Sequence, residues 1–111
     1  MKLNKLSDIF STTGQISSSD FPVIRALGFR SVICNRPDGE DIAQQLFKEI
    51  EPFAANAGLE IAYVPISRTG ADDDTLRRFQ AAFDRLPKPV LAFSGTGSRC
   101  QDIYKKIAAG T

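Results

Sequence analysis

Short continuous apolar runs alternate along this chain with longer stretches in which apolar residues recur every three or four positions. Ile9-Phe10-Ser11-Thr12 is a β-prone run closed by Gly14. Ser17, Ser18 and Ser19 offer N-caps for a helix from Asp20 to Leu27. Pro22 suits its first turn, Val23, Ile24 and Leu27 form its apolar stripe, and Gly28 suits its C-terminal cap. Arg30-Ser31-Val32-Ile33-Cys34-Asn35 reads as a strand buried on both faces, running into a turn at Asn35-Arg36-Pro37-Asp38-Gly39. From Asp41 to Asn56, Ile42, Leu46, Phe47, Ile50, Phe53 and Ala54 repeat at helical spacing, and Pro52 predicts a kink or an early end. Ile61 to Ile66 is the third strand. A polar loop from Ser67 to Ala71 leads to Asp72-Asp73-Asp74, acidic residues that favour a helix start. Leu76, Phe79, Phe83 and Leu86 mark the buried face of that helix. Val90 to Phe93 is the fourth strand, and Arg99 to Ala108 the last helix, with Cys100, Ile103, Tyr104 and Ile107 inward.

Strand and helix alternate throughout, which predicts an α/β layered domain with a mainly parallel sheet and right-handed crossovers. Sites in such sheets form outside the carboxyl ends of the strands. Three loops leave those ends here: Asn35–Glu40, Ser67–Asp74 and Ser94–Arg99. The working expectation is a site assembled from all three.

The last loop carries the clearest chemistry. Strand Pro89 to Phe93 stops at Ser94-Gly95-Thr96-Gly97-Ser98-Arg99, and a helix follows. Glycines there let successive amides curl around an anion, a helix N-terminus adds partial positive charge, and Arg99 offers a bidentate fork. An anion is the expected ligand, bound by Ser94, Gly95, Thr96, Gly97, Ser98 and Arg99.

Composition narrows the chemistry further. The 111 residues form one domain of a size that buries roughly 65% of its unfolded surface. Fourteen Lys and Arg against 13 Asp and Glu, scattered and not clustered, argue against nucleic-acid binding. No apolar stretch is long enough to span a membrane, and the first residues lack the apolar core of a signal peptide. Two cysteines, Cys34 and Cys100, fit a reducing cytoplasm. There is no histidine, which excludes His-dependent triads and argues against a zinc centre; no cofactor is expected.

Taken together, Thr13-Gly14-Gln15, the segment Leu27 to Asp38 with its Asn35-Arg36-Pro37-Asp38, Val64-Pro65-Ile66 and Pro89 to Arg99 resemble a known family over nearly the whole chain. The final loop resembles the phosphate-binding loop of cysteine-dependent protein tyrosine and dual-specificity phosphatases. The chain as a whole resembles a small bacterial family of phosphatase-like domains, also labelled beta-lactamase hydrolase-like or sulfur-transferase-like. The resemblance implies a three-layer fold, with a mainly parallel sheet of four to five strands between helices. It also implies a loop cysteine that attacks phosphorus, a loop arginine that binds the phosphoryl oxygens, and an aspartate that protonates the leaving group. On this chain the cysteine position is Ser94, the arginine is Arg99, and the acid falls among Asp72, Asp73 and Asp74. A phosphorylated protein or small molecule is the implied partner. Fusions to oxidoreductase or metallo-hydrolase domains are known in the family, so residues 1–111 are also read as the N-terminal part of a longer protein.

Three departures qualify this. Ser94 replaces the cysteine, through engineering or as a natural pseudo-enzyme, and a serine hydroxyl without a base stays protonated. Four residues separate Ser94 from Arg99 where tyrosine phosphatases have five, a length that matches rhodanese sulfurtransferases. Gly95 stands where the family usually carries arginine. The leading expectation is a phosphate-binding domain with impaired catalysis; sulfur transfer and a non-enzymatic regulatory role are the alternatives. Simpler roles stand beside the functional ones. Asp72 caps a helix, Arg36 and Asp38 belong to a turn or to the rim of the site, and Cys100 is either reactive or buried.

Overall fold

The computed structural model describes residues 1–109; Gly110 and Thr111 lie outside the described residues. The strands are β1 (Asn4–Ser7), β2 (Phe10–Thr13), β3 (Ser31–Cys34), β4 (Glu60–Tyr63) and β5 (Val90–Phe93). A 3₁₀ turn, Ser18–Asp20, leads into α1 (Phe21–Ala26). The other helices are α2 (Phe47–Asn56), α3 (Asp73–Arg85) and α4 (Ser98–Ala109).

The five strands lie in the order β1-β2-β5-β3-β4, antiparallel between β1 and β2 and parallel elsewhere. The most apolar strand takes the middle. Val90, Leu91, Ala92 and Phe93 are all buried and pair on both sides, as a continuous apolar run in a covered parallel sheet must. The pleat then sorts their side chains between two cores. Val90 and Ala92 join Phe79, Phe83 and Ile103 of α3 and α4, whereas Leu91 and Phe93 join Ile24, Ile50 and Ala54 of α1 and α2. Helices therefore cover both faces, giving the layered α/β architecture that the alternation predicted, with the three layers that the resemblance implied.

Phe10 fastens β2 to the first of these cores. Its ring stacks on Tyr104 with centroids 4.2 Å apart and meets Phe79 and Phe83 edge-on. Burying such a ring contributes roughly 2–3 kcal/mol, and the Tyr104 hydroxyl is satisfied by Ser7 Oγ at 3.0 Å.

Three sequence expectations need correction. The simplest is that Val23 and Leu27, read as part of the apolar stripe of α1, are exposed, and Phe21 is buried beside Ile24 instead. Helix α2 begins at Phe47, not Asp41, and continues through Pro52 to Asn56. Ile42 is fully exposed and Leu46 and Phe53 are partly so, so the helical spacing of the first two was coincidental. The turn that opens at Asn35 extends to Leu46, and the α2 amide at Phe47 donates to Asp38 Oδ1 at 2.8 Å. The third correction is β1, a strand the apolar pattern missed. Asn4 to Ser7 is mostly exposed and is ordered by its ladder with β2 rather than by its own hydrophobicity.

Register fixes the site. Thr13, Phe93, Cys34 and Tyr63 occupy equivalent final positions on β2, β5, β3 and β4. The loops that follow consequently leave the sheet along one edge.

Candidate functional site

The loop after β5 is pressed against the end of β2. The Ser94 amide donates to Thr13 O at 3.4 Å, and the Gln15 amide to Gly95 O at 3.3 Å. Gly97 lies at φ +90°, where a side chain is strained, and a Cβ there would lie 3.1 Å from Thr13 O. Gly97→Ala is therefore expected to cost about 2 kcal/mol in chemical denaturation, mostly from backbone strain. Gly95 is different: its φ is not positive, and an added Cβ would meet Arg36 Nε and Arg99 Nη2 at an ordinary 3.7 Å. Glycine at 95 keeps the space beneath two guanidinium groups open instead of supplying an unusual backbone angle.

The loop does curl inward. The Gly97 amide donates to Ser94 Oγ at 3.0 Å, and Ser94 is fully buried. The Ser98 amide is satisfied by Thr96 Oγ1 at 3.4 Å. Beneath the loop, the Cys100 thiol is hydrogen-bonded to the Ser94 side chain, and burial pushes the thiol up to about 12. Burial likewise pushes Cys34 up to about 12. Both cysteines are protonated packing residues at neutral pH, which resolves the position of Cys100 in favour of burial.

Arginines converge above the loop on one carboxylate that sequence reading missed. Glu40 accepts both terminal nitrogens of Arg99, Nη1 to Oε2 at 2.8 Å and Nη2 to Oε1 at 2.7 Å. Arg36 Nε donates to Oε1 at 3.2 Å, and Arg68 Nε lies 3.7 Å from Oε2. Arg99 Nη1 also donates to Ile66 O at 2.7 Å, and Arg36 Nη1 to Gln15 Oε1 at 2.9 Å. The three loops named from sequence therefore meet here, each supplying a charge: Arg36 and Glu40, Arg68, and Arg99. The arginines hold Glu40 below its ordinary 4.5, the Arg99 hydrogen bonds most of all.

A carboxylate held down in the folded state stabilises the protein above its unfolded pKa and stops doing so as pH falls through the folded value. Thermal stability is expected to hold from pH 7 to 5 and to decline below about pH 4.5. Asp72, also held low through Thr75, adds its own loss lower down, as pH falls below its ordinary 3.8. Subtracting the melting profile of Glu40→Gln from that of the native chain isolates the Glu40 share, and a pH-independent difference would count against it.

The other expected site residues are engaged elsewhere. Asp72 caps α3, its Oδ1 accepting the Thr75 amide at 2.8 Å and the Thr75 hydroxyl at 2.7 Å. Asp73 opens α3, and Asp74 pairs with Arg77 and Arg78 on its exposed side. Among the described residues, none of the three hydrogen-bonds or ion-pairs with the Ser94–Arg99 loop. Asp38 holds the start of α2 through Phe47, and its amide donates to the Tyr63 hydroxyl at 2.9 Å. Among the described residues no group of His, Cys, Asp and Glu is placed to hold a metal, and no helix is long and apolar enough to cross a membrane.

Clefts open on both sides of the loop. One, of about 450 Å³, lies between the 67–71 loop and α4 and is lined by Arg68, Arg99, Lys105 and Lys106 with Asp102. The other, of about 500 Å³, is lined by Thr12, Gln15, Thr96 and Gln101 and carries a single cationic side chain, Lys2.

Residues 2–110 match the family model described as the phosphatase-like domain of the beta-lactamase hydrolase-like protein. A beta-lactamase hydrolase-like protein from Agrobacterium fabrum is 31% identical over 104 residues, covering 94% of this chain and 24% of the relative. The chain thus spans about a quarter of the length of the curated relatives it matches. A provisionally assigned phosphatase from Neisseria meningitidis superposes with a TM-score of 0.84 at 28% identity, covering 96% of this chain and 78% of that one. TpbA from P. aeruginosa, solved in complex with pTyr, shares the fold with a TM-score of 0.56 at 19% identity, covering 86% of this chain and 54% of that one.

Proposed function

Because this chain belongs to the family of the phosphatase-like domain of beta-lactamase hydrolase-like proteins, we propose that it binds phosphate or a phosphorylated ligand in the Ser94–Arg99 loop with little or no turnover. The observation that carries this reading is the pairing of an inward Gly97 amide with two guanidinium groups, Arg36 and Arg99, each with a nitrogen 3.7 Å from the Cβ position of residue 95. Arg36 replaces, from a neighbouring loop, the charge that the family's arginine would bring at position 95. An oxyanion there meets charge-assisted donors from two forks, the arrangement that suits a tetrahedral dianion. The pTyr complex of TpbA gives a precedent on the same fold for a phosphorylated ligand.

Turnover is the weaker half. Ser94 occupies the nucleophile position, but its hydroxyl accepts the Gly97 amide and has no base at hand. The chain contains no histidine, and the nearby Cys100 thiol stays protonated. The acid position among Asp72, Asp73 and Asp74 is likewise a reading by family, and in this structure the Asp72 carboxylate is turned to helix capping. We read residues 1–111 as a single binding domain, which in a longer protein would present its loop to a partner or substrate.

Inorganic phosphate titrated into the native chain, followed by calorimetry and by amide shifts, tests the reading. Saturable binding with the largest shifts at Gly95 to Arg99 is expected. A folded protein that shows neither heat nor shifts in that loop overturns it.

A further inference from the structure

Glu40 is the most heavily engaged carboxylate of the site, and its geometry is asymmetric in an informative way. A guanidinium carries five N–H donors, two on each Nη and one on Nε. Arg99 uses both Nη1 hydrogens, one on Glu40 Oε2 and one on Ile66 O, and a single Nη2 hydrogen on Glu40 Oε1. The second Nη2 hydrogen and the Nε–H have no acceptor among the described residues. Those two form the side-on fork of the guanidinium, and Nη2 lies 3.7 Å from the Cβ position of residue 95. Glu40 grips the end of Arg99 and leaves its side-on edge unengaged among the described residues.

The same carboxylate oxygen that takes Arg99 Nη2 also takes Arg36 Nε, and Arg36 is held on its other side by Gln15. One largely buried anion therefore sets the spacing of both cations above Gly95. Without it, two guanidinium groups close to a common Gly95 repel each other and regain the rotamer freedom that long side chains lose only when held.

Resting on the phosphate reading above, we infer that Glu40 is a positioning residue for the anion site: it clamps Arg36 and Arg99 into one two-armed receptor. The clearest rival role is opposite in sign. A carboxylate among arginines also resembles an internal competitor that must leave before phosphate enters.

The titration of inorganic phosphate into the full chain separates these roles. Glu40→Gln keeps the volume and one acceptor but loses the charge and the paired acceptor. It is expected to raise the Kd for phosphate about tenfold, the worth of roughly one charge-assisted hydrogen bond, and Glu40→Ala is expected to raise it further. An unchanged or lower Kd in Glu40→Gln overturns the positioning role. Should the variants fail to fold, the native chain still decides: the Arg99 Nη protons, observed by nitrogen-edited NMR, are expected to stay protected in slow exchange when phosphate binds. Their release on binding marks a displaced competitor and overturns the inference. If the native chain binds no phosphate, the reading of the loop falls and takes this one with it. Binding by the native chain with Glu40→Gln unaltered removes the Glu40 role alone.

Discussion

Ser94→Cys is expected to raise the hydrolysis of para-nitrophenyl phosphate by about 100-fold or more over the native chain, because it replaces an unactivated hydroxyl with a thiol that ionises near neutral pH. The surroundings of position 94 already hold groups that a thiolate there would use. The Gly97 amide points at the side-chain atom from 3.0 Å, Cys100 lies within hydrogen-bonding contact, and the first turn of α4 begins four residues on. Each donor that stabilises a negative sulfur lowers its pKa, so a thiolate at position 94 would gain what the serine hydroxyl cannot use. The measurement is a parallel assay on the same preparation with para-nitrophenyl phosphate and thiosulfate. Phosphate release with no sulfur uptake supports phosphoryl chemistry. Sulfur carried from thiosulfate, with no phosphate release, would return the four-residue loop to the rhodanese reading. A folded variant inert to both substrates would show that the loop binds without a competent acid or approach path.

Arg99→Ala carries the second large effect, and it acts on binding and stability together. Among the described residues, Arg99 alone touches Glu40 through two short hydrogen bonds while also joining Ile66 of the neighbouring loop. Its removal leaves Glu40, only 11% exposed, with the longer contacts to Arg36 and Arg68. Breaking such a partly screened pair is expected to lower the unfolding free energy by about 2 kcal/mol, a fall in Tm of roughly 10 °C for a domain of this size. Phosphate affinity is expected to fall by about 100-fold, since the side-on fork is lost along with one positive charge. Arg99→Lys restores the charge but not the fork, and should recover stability better than affinity. Equal phosphate affinity in the native chain and Arg99→Ala would place any bound anion elsewhere.

The parts of the fold that sequence made legible are those where local pattern and tertiary fate agree. Val90 to Phe93 is apolar at every position and buried at every position, and the strand bounds match the expectation. Asp72 begins α3 as its cap, and Phe79, Phe83 and Leu86 are buried as their spacing implied. The failures share one physical cause, which is that distant partners decide the outcome. Asn4 to Ser7 has no apolar signature, and its strand exists because β2 offers an edge. Ile42 sits at helical spacing from Leu46 but belongs to an exposed turn, whose extent is set by Asp38 reaching the amide of Phe47 nine residues on.

The candidate site divides in the same way. The Ser94–Arg99 loop is local, and its strand–loop–helix pattern was readable. Glu40 was not, because its role depends on arginines 4, 28 and 59 residues away along the chain. One signal was available. The three loops at the carboxyl edge carry Arg36, Arg68 and Arg99, one each, and a carboxylate in the first loop is the obvious partner once those loops are taken to converge. Charge matching between loops, applied after the topology, would have singled it out.

The pairing of each tyrosine with a phenylalanine has a practical consequence. The chain has no tryptophan and two tyrosines, so its intrinsic emission comes from Tyr63 and Tyr104 alone. Tyr104 stacks on Phe10 in the core between sheet and helices, while Tyr63 stacks on Phe47 at 4.9 Å and holds the amide of Asp38 two residues from Arg36 and Glu40. Each ring thus reads a different compartment without any label. Tyr63→Phe leaves a fluorescence signal that follows unfolding of the core, and Tyr104→Phe leaves one that follows the loop carrying Arg36 and Glu40, so global melting and local events at the proposed anion site can be watched as separate optical channels.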